Sequence, residues 1–399
     1  MAVFTPPQKS NLLVLRAGFT AGVLFLCQPR GVRAEDSLTV KAQSWQEDKE
    51  RIRVDSQYAQ IEKDLGTDTH LKVMGLLDSI AGATPTGEVQ QQGDPKIVPK
   101  SHMEDRRKAW TADLSHQFPR VNVGVGYGVS RESDYVSDGW SLNTATDFND
   151  KNTTLMLGYG GTKDTISEWK LNWSKQRHKE GSDFIAGITQ LLNPNTSVTA
   201  NVVYGTATGV MSDPYKIVST TRLDLDPGAY YTPPENRPEE KKKVSLFFGL
   251  NRNFERLNGA VDFSYRHYHD SFGITSHTEA LAWIQKFGQH VIVQPSVRFY
   301  RQSASDFYYY NLDRSRITTS YEPLLAETGT GKGPFYSSDY RLSYLETLDL
   351  GLKVVVKITS WLSIDANYDR FVMRGLDHIT PQDAYSKANM FMVGIKLTR

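Results

Sequence analysis

The sequence predicts an all-β chain: a transmembrane antiparallel up-and-down barrel of about sixteen strands with both termini periplasmic. Three observations carry that prediction. Strict period-two alternation recurs from one end of the 399 residues to the other. The segments that alternate are joined by connections that are short and long in turn. The N-terminus has the pattern of an export leader.

The clearest strand is 121–129. Val121, Val123, Val125, Tyr127 and Val129 occupy one face, and Asn122, Gly124, Gly126 and Gly128 the other. Successive side chains of a strand point to opposite faces, so one side is apolar and the other polar or bare. The same reading places strands at 38–45, 51–61, 71–79, 110–118, 121–131, 136–148, 153–161 and 181–192. The second half follows at 197–208, 244–253, 257–267, 275–287, 290–302, 342–358, 361–370 and 388–397. Leu348, Leu350, Leu352, Val354 and Val356 share a face, opposed by Thr347, Asp349, Gly351 and Lys353. The segments 135–148 and 275–287 alternate poorly.

A soluble sandwich also alternates. The barrel is favoured because apolar faces end in aromatics (Tyr127, Tyr204, Tyr265, Trp361, Tyr368), as interfacial girdles do. The connections favour it too. Short ones at 118–120, 149–152, 193–195, 254–256, 287–289 and 357–360 carry the Asn, Asp, Pro and Gly of tight turns. Longer ones are expected at 81–109, 162–180, 209–243, 303–341 and 373–387, on the extracellular side.

Lys9 and Arg16, an apolar run over 17–27 and Val32-Arg33-Ala34 form a Sec-type signal over 1–34, cleaved after Ala34. Residues 35–399 are then a single outer-membrane barrel. Leu24-Phe25-Leu26-Cys27 departs from a lipidation box because Leu26 is bulky. Cys27 is the only cysteine, so the mature chain has no disulfide, thiolate metal site or covalent c-type haem. Beyond the leader no apolar run approaches the roughly 20 residues of a membrane helix. With 46 Lys and Arg against 45 Asp and Glu, the charge balance offers nothing to nucleic acid.

Several motifs resemble a known bacterial family. Trp45-Gln46-Glu47-Asp48, the run Asp78-Ser79-Ile80-Ala81-Gly82-Ala83-Thr84-Pro85-Thr86-Gly87, Glu104-Asp105-Arg106-Arg107-Lys108-Ala109-Trp110 and Ser212-Asp213-Pro214-Tyr215-Lys216 are similar to outer-membrane barrels catalogued as domain of unknown function 3570. The resemblance implies the fold and the location, with a hint of envelope redox partners; it implies no substrate and no catalytic residue. Barrels of this kind usually end in an aromatic that the insertion machinery reads. Here Phe391, Val393, Ile395 and Leu397 alternate correctly, but the chain ends Thr398-Arg399.

Few residues point to chemistry. His267 and His269 are the metal candidates, since i and i+2 share a strand face, although that face also carries Val261, Phe263 and Tyr265. Ser264 with His267, and Ser276 with His277, would point to opposite sides of a strand, so no catalytic constellation and no cofactor site is read. The charges expected to line a wet lumen are more informative: Lys41, Arg51, Arg53, Asp55, Lys72, Asp113, Asp262, Arg266, Arg298, Asp349, Lys353, Asp365 and Asp369. Tyr230, Tyr231, Tyr308, Tyr309 and Tyr310 cluster in the long loops.

The expected function is a pore or channel for small solutes. A closed barrel serving as an assembly or binding platform, for redox or lipoprotein partners of the periplasm, is the alternative, and a surface hydrolase the second. The expected partners are outer-membrane lipid and the barrel insertion machinery.

Overall fold

The computed structural model describes residues 36–49, 51–89, 94–167, 176–221, 231–313, 315–317 and 332–399. The expected leader, with its expected cleavage point at Ala34, and Tyr230 lie outside them. The strands are β1 (Ser37–Glu47), β2 (Arg53–Asp64), β3 (Thr69–Pro85), β4 (Lys100–Gln117), β5 (Val121–Arg131), β6 (Tyr135–Phe148), β7 (Thr153–Ser167) and β8 (Gln176–Asn193). They continue as β9 (Thr196–Gly209), β10 (Glu240–Phe254), β11 (Gly259–Asp270), β12 (Thr275–Phe287), β13 (Val291–Gln302), β14 (Leu345–Lys357), β15 (Leu362–Gly375) and β16 (Lys387–Thr398). Each pairs antiparallel with its sequence neighbours, and β1 pairs with β16 from Ser37↔Thr398 to Glu47↔Ala388, closing a 16-strand barrel.

Closure follows from the solvent. A lipid tail offers backbone groups no partner, so a strand crosses a bilayer only when both its edges are paired. One irregularity has a covalent cause. The β12–β13 ladder breaks between Ala282↔Ser296 and Gln285↔Val293, where Pro295 has no N–H to give.

The two faces separate cleanly through the middle of the wall. Val40, Leu157, Leu246, Leu350 and Val393 are 49–58% exposed, although they are large and apolar. On a molecule of this kind that exposure marks the lipid face. The glycines of β5 fall on the inner face, where a Cβ at Gly126 would sit 2.5 Å from Asp113 Oδ1 and 2.6 Å from Ser141 Oγ. Their absent side chains leave room for the polar groups of the strands on either side.

The start of β1 and the end of β16 lie at the end with uniformly short turns. In one of these Asn149, Asp150 and Lys151 adopt φ of 51°, 52° and 67°, and Asn152 N donates to Asn149 O at 2.9 Å. Asn and Asp tolerate that left-handed conformation better than other side chains do. The five long connections are all at the other end, with three tight ones between them.

Several boundaries differ from the pattern reading. β3 and β4 run to Pro85 and from Lys100, so the expected loop over 81–109 shrinks to 86–99. β8 begins at Gln176 and β10 at Glu240, shortening two more loops. These extensions stand above the apolar band, where the polarity code is inverted. Ile52, Val54, Ile80 and Met103 form a buried cluster with Trp45 inside, while Arg53, Asp55, Glu104 and Arg106 face outward to water. A search for apolar-out alternation passes over strands built the other way round.

The face assignment yields a direct comparison. Leu350→Arg, on the lipid face, is expected to cost about 2–4 kcal/mol if it lies near the bilayer midplane. Asn251→Arg, on the inner wall, should cost less than half as much. Urea unfolding of the barrel in lipid vesicles measures both, and equal costs would contradict the assignment.

Candidate functional site

The strand register places ten of the predicted lumen residues on the inner wall. Lys72 faces Asp113 across β3 and β4, and Arg298 faces Asp349 across β13 and β14. Asp262 and Arg266 share the inner face of β11. Lys353 stands opposite Asn367, whose amide donates to Asp369. Asp365 pairs with Lys41 at 3.0 Å. Lys243 and Asp183, not singled out by the sequence, form a similar inner pair at 2.8 Å.

Three expectations need correcting. Arg53 and Asp55 point outward and bind each other at 2.9 Å. The physical reason is the inverted code above the bilayer: Val54 and Ser56 turn inward there, and their neighbours must turn out. Arg51 is inside, but it does not line an open lumen. It is 5% exposed, pairs with Glu47 at 3.0 Å, and donates to the carbonyls of Asp383 and Ala384 at 2.9 and 3.2 Å.

His267 and His269 face outward and do not converge on a common point. The His267 ring lies 5.1 Å from that of His277, while His269 Nδ1 is 2.9 Å from Thr275 Oγ1. Ser264 and Ser276 turn inward, away from His267 and His277. The described carboxylates that do converge are Asp105, Glu132 and Asp134, with oxygens within 4.8 Å of one another. Their separation along the chain hid them from motif reading.

The long loops cross the mouth. In a ring of sixteen, the β5–β6 turn is diametrically opposite the β13–β14 connection. The two are bridged through the β9–β10 connection: Tyr215 donates its hydroxyl to Asp134, and Ser338 Oγ donates to Ile217 O at 2.5 Å. Ile217 N also donates to Thr86 O at 3.3 Å, and Val89 N to Ser219 Oγ at 2.8 Å, which ties in the β3–β4 loop. The β15–β16 loop joins through Tyr340 against Tyr385, with ring centres 5.7 Å apart, and Lys100 Nζ to Asp383 at 2.7 Å.

A buried ionic chain runs through the centre of this roof. Arg237 binds Glu235 at 2.7 Å and Asp339 at 2.9 Å, and Arg341 binds Asp339 at 2.7 Å and Asp213 at 3.4 Å. Burial raises the Asp339 carboxyl, but Arg341 and Arg237 overcome it and hold it well below the carboxylate range. Burial also lowers the Lys216 ammonium, helped by Arg341; its Nζ is capped by the carbonyl of Pro85. Charges out of water need such partners to be tolerated at all.

The underside of the roof is apolar and seated within the rim. Tyr340, Ala384 and Tyr385 pack on Leu345, Tyr300 and Met373, which face inward from β14, β13 and β15. Met211, Phe307 and Leu342 pack on Ala207 and Tyr268 in the same way. All four buried apolar clusters of the described residues lie at this end. Below them the wall carries the charges named above.

Glu132 sits where the roof meets the wall. Burial, together with Asp105, Asp134 and Asp78, lifts its carboxyl to about 7 against the pull of Arg107. A carboxyl raised in the folded state contributes stability below its unfolded value, and loses it as pH climbs through the folded one. The thermal midpoint of the wild type should therefore fall between the ordinary carboxylate range and about 7. Glu132→Gln should flatten that slope; an unchanged slope would remove Glu132 as its source.

Comparison with known proteins follows the same lines. No curated protein matches the sequence. The siderophore receptor PirA from Pseudomonas aeruginosa aligns at a TM-score of 0.43 and 11% identity, over 92% of this chain and 62% of its own. This chain thus spans less than two thirds of that receptor. The CymD monoaromatic hydrocarbon channel aligns at 0.42 and 10%, over 92% and 89%. OmpT with loop L8 deleted, an outer membrane protein of Vibrio cholerae, aligns at 0.43 and 8%, over 91% and 98%. The closed sixteen-strand barrel rests on the strand pairing itself. The family model "Protein of unknown function (DUF3570)" matches residues 27–377, and the chain belongs to that family.

Proposed function

We propose that this protein is a gated channel for small polar solutes across the outer membrane, closed at rest by the roof on its long-loop side. The observation that carries the reading is the division of the interior. Apolar clusters fill the roofed end, whereas the wall beneath carries Lys41, Lys72, Asp113, Arg266, Arg298, Asp349 and Asp369 on its inner face. Ionisable groups of both signs on an inner wall are costly in a dry core and natural in a water-filled one. Sixteen strands enclose enough width for such a channel.

The roof itself is suited to opening. Its centre is held by charge pairs and hydrogen bonds between separate loops, which exchange for water at lower cost than a continuous apolar core does. A second reading, a permanently closed barrel acting as a platform for periplasmic or lipoprotein partners, is favoured by one feature. Val218, Leu312, Ser337 and Ser343 within the roof are 0% exposed, as in a protein core.

Current across a planar bilayer separates the two. Breaking a buried pair by removing one partner costs about 3–5 kcal/mol, which on a two-state roof multiplies the open population by roughly 100-fold or more. The wild type should pass little, intermittent current. The Arg237→Gln, Arg341→Gln double variant should pass a large and steady one. A folded variant that remains silent would reject the channel and leave the platform.

A further inference from the structure

Three basic residues stand together on the outer surface of the wall, and nothing in the channel reading uses them. Arg106 and Lys108 of β4 and Arg131 of β5 are all exposed, and none forms an ion pair with another described residue. They face outward, sharing the face of β4 with Trp110 and Leu114, which are 46% and 41% exposed, while Met103 and Asp105 just before them turn in. Lys108 and Arg131 are direct cross-strand partners. Like charges directly opposite on a sheet repel and destabilise it unless a counter-charge lies near.

The carboxylates around the patch are engaged or displaced. Asp55 is held by Arg53 at 2.9 Å, and Asp138 accepts the Tyr127 hydroxyl at 2.7 Å. Glu104 sits one pleat above Arg106, and Asp105 and Glu132 turn to the inside. Asp138 stays diagonal to Arg131, and no described carboxylate lies within ion-pair distance of Lys108 or Arg131.

Height along the wall says what could. Directly beneath the patch, Trp110 and Tyr127 pack with ring centres 5.7 Å apart, an aromatic pair of the kind that marks the membrane interface. Lys108 stands two residues beyond Trp110 and Arg131 four beyond Tyr127, roughly 7 and 13 Å further along their strands. Leu77, the β3 partner of Lys108, is still apolar and 51% exposed, so this row is the upper edge of the lipid band. Side chains this long bury their stems against such an edge and carry their charge into the headgroup layer.

We infer that Arg106, Lys108 and Arg131 form a docking surface for phosphorylated lipid headgroups of the leaflet on the long-loop side. The headgroup phosphates bridge Lys108 and Arg131 and relieve their repulsion, and Arg106 reaches the same layer from above. The patch fixes the depth of the β3–β5 wall in the membrane.

The test uses the full barrel folded in phosphatidylethanolamine vesicles doped with bisphosphorylated lipid A, or with the same lipid enzymatically dephosphorylated. Lipid retained after gentle detergent extraction is counted by native mass spectrometry. The wild type should retain the phosphorylated form and release the other. The Arg106→Gln, Lys108→Gln, Arg131→Gln variant should retain about tenfold less or lower still. Equal retention of the two lipids, or unchanged retention by the variant, would overturn the inference. So would protection against thermal unfolding by inorganic phosphate alone, matching that given by the lipid, since the surface would then be a site for a soluble ion. Heat-dependent gel migration reports whether each variant is folded. Should the triple variant fail to fold, Lys108→Gln alone must show the same preferential loss of the phosphorylated lipid.

Discussion

Everything in this molecule depends on the ladder between β1 and β16. Eleven residues of β1, from Ser37 to Glu47, pair in register with Thr398 to Ala388, and no edge is left to face lipid. A barrel so closed has two surfaces and two solvents, and each strand must satisfy both with alternate side chains. Val393 and Ile395 meet lipid, while Gly394 between them makes room for Asp365 and Lys41 to meet each other inside. Inner glycines at Gly126, Gly205 and Gly351 recur beside Asp113, Asp183 and Asp369 for the same reason. A bare position lets a polar neighbour lean across it.

The second consequence of closure is an end that has to be managed. Above the bilayer the outside becomes water and the inside becomes the seat of the roof, so the polarity of the same strands is exchanged. Ile80 and Met103 are buried inward two turns of the pleat above Leu76 and Arg107, while Arg106 and Lys108 face out. This exchange explains what the sequence revealed and what it hid. Alternation in the membrane-embedded half, as in Val121–Val129 or Leu348–Val356, was legible because the pattern and the solvent agree. Arg53 and Asp55 were misplaced because they lie above the exchange, where polar no longer means inward.

The roof was beyond the reach of pattern. Its charges, Asp213, Glu235, Arg237, Asp339 and Arg341, come from two loops 102 residues apart at their nearest ionic contact. The Ser212–Lys216 run was conspicuous only as a likeness to related chains; the structure shows why those residue types are used. Asp213 receives Arg341, Tyr215 reaches Asp134 on the far wall, and Lys216 is capped by Pro85. What a scan for catalytic pairs or metal ligands cannot register is a loop folded for mutual burial.

The central claim is that loops from opposite walls meet over the mouth and stay there at rest. Hydrogen exchange of the folded barrel in detergent tests it most directly, through the amides of Val218, Thr220, Glu235, Leu312 and Tyr336. Leu312 and Tyr336 donate to Ser219 and Asn236 from one loop to the other, and Val218, Thr220 and Glu235 to Pro233, Tyr231 and Lys216 within the β9–β10 connection they meet. Protection approaching that of the strands is the predicted result; exchange at the rate of free surface loops would contradict the account.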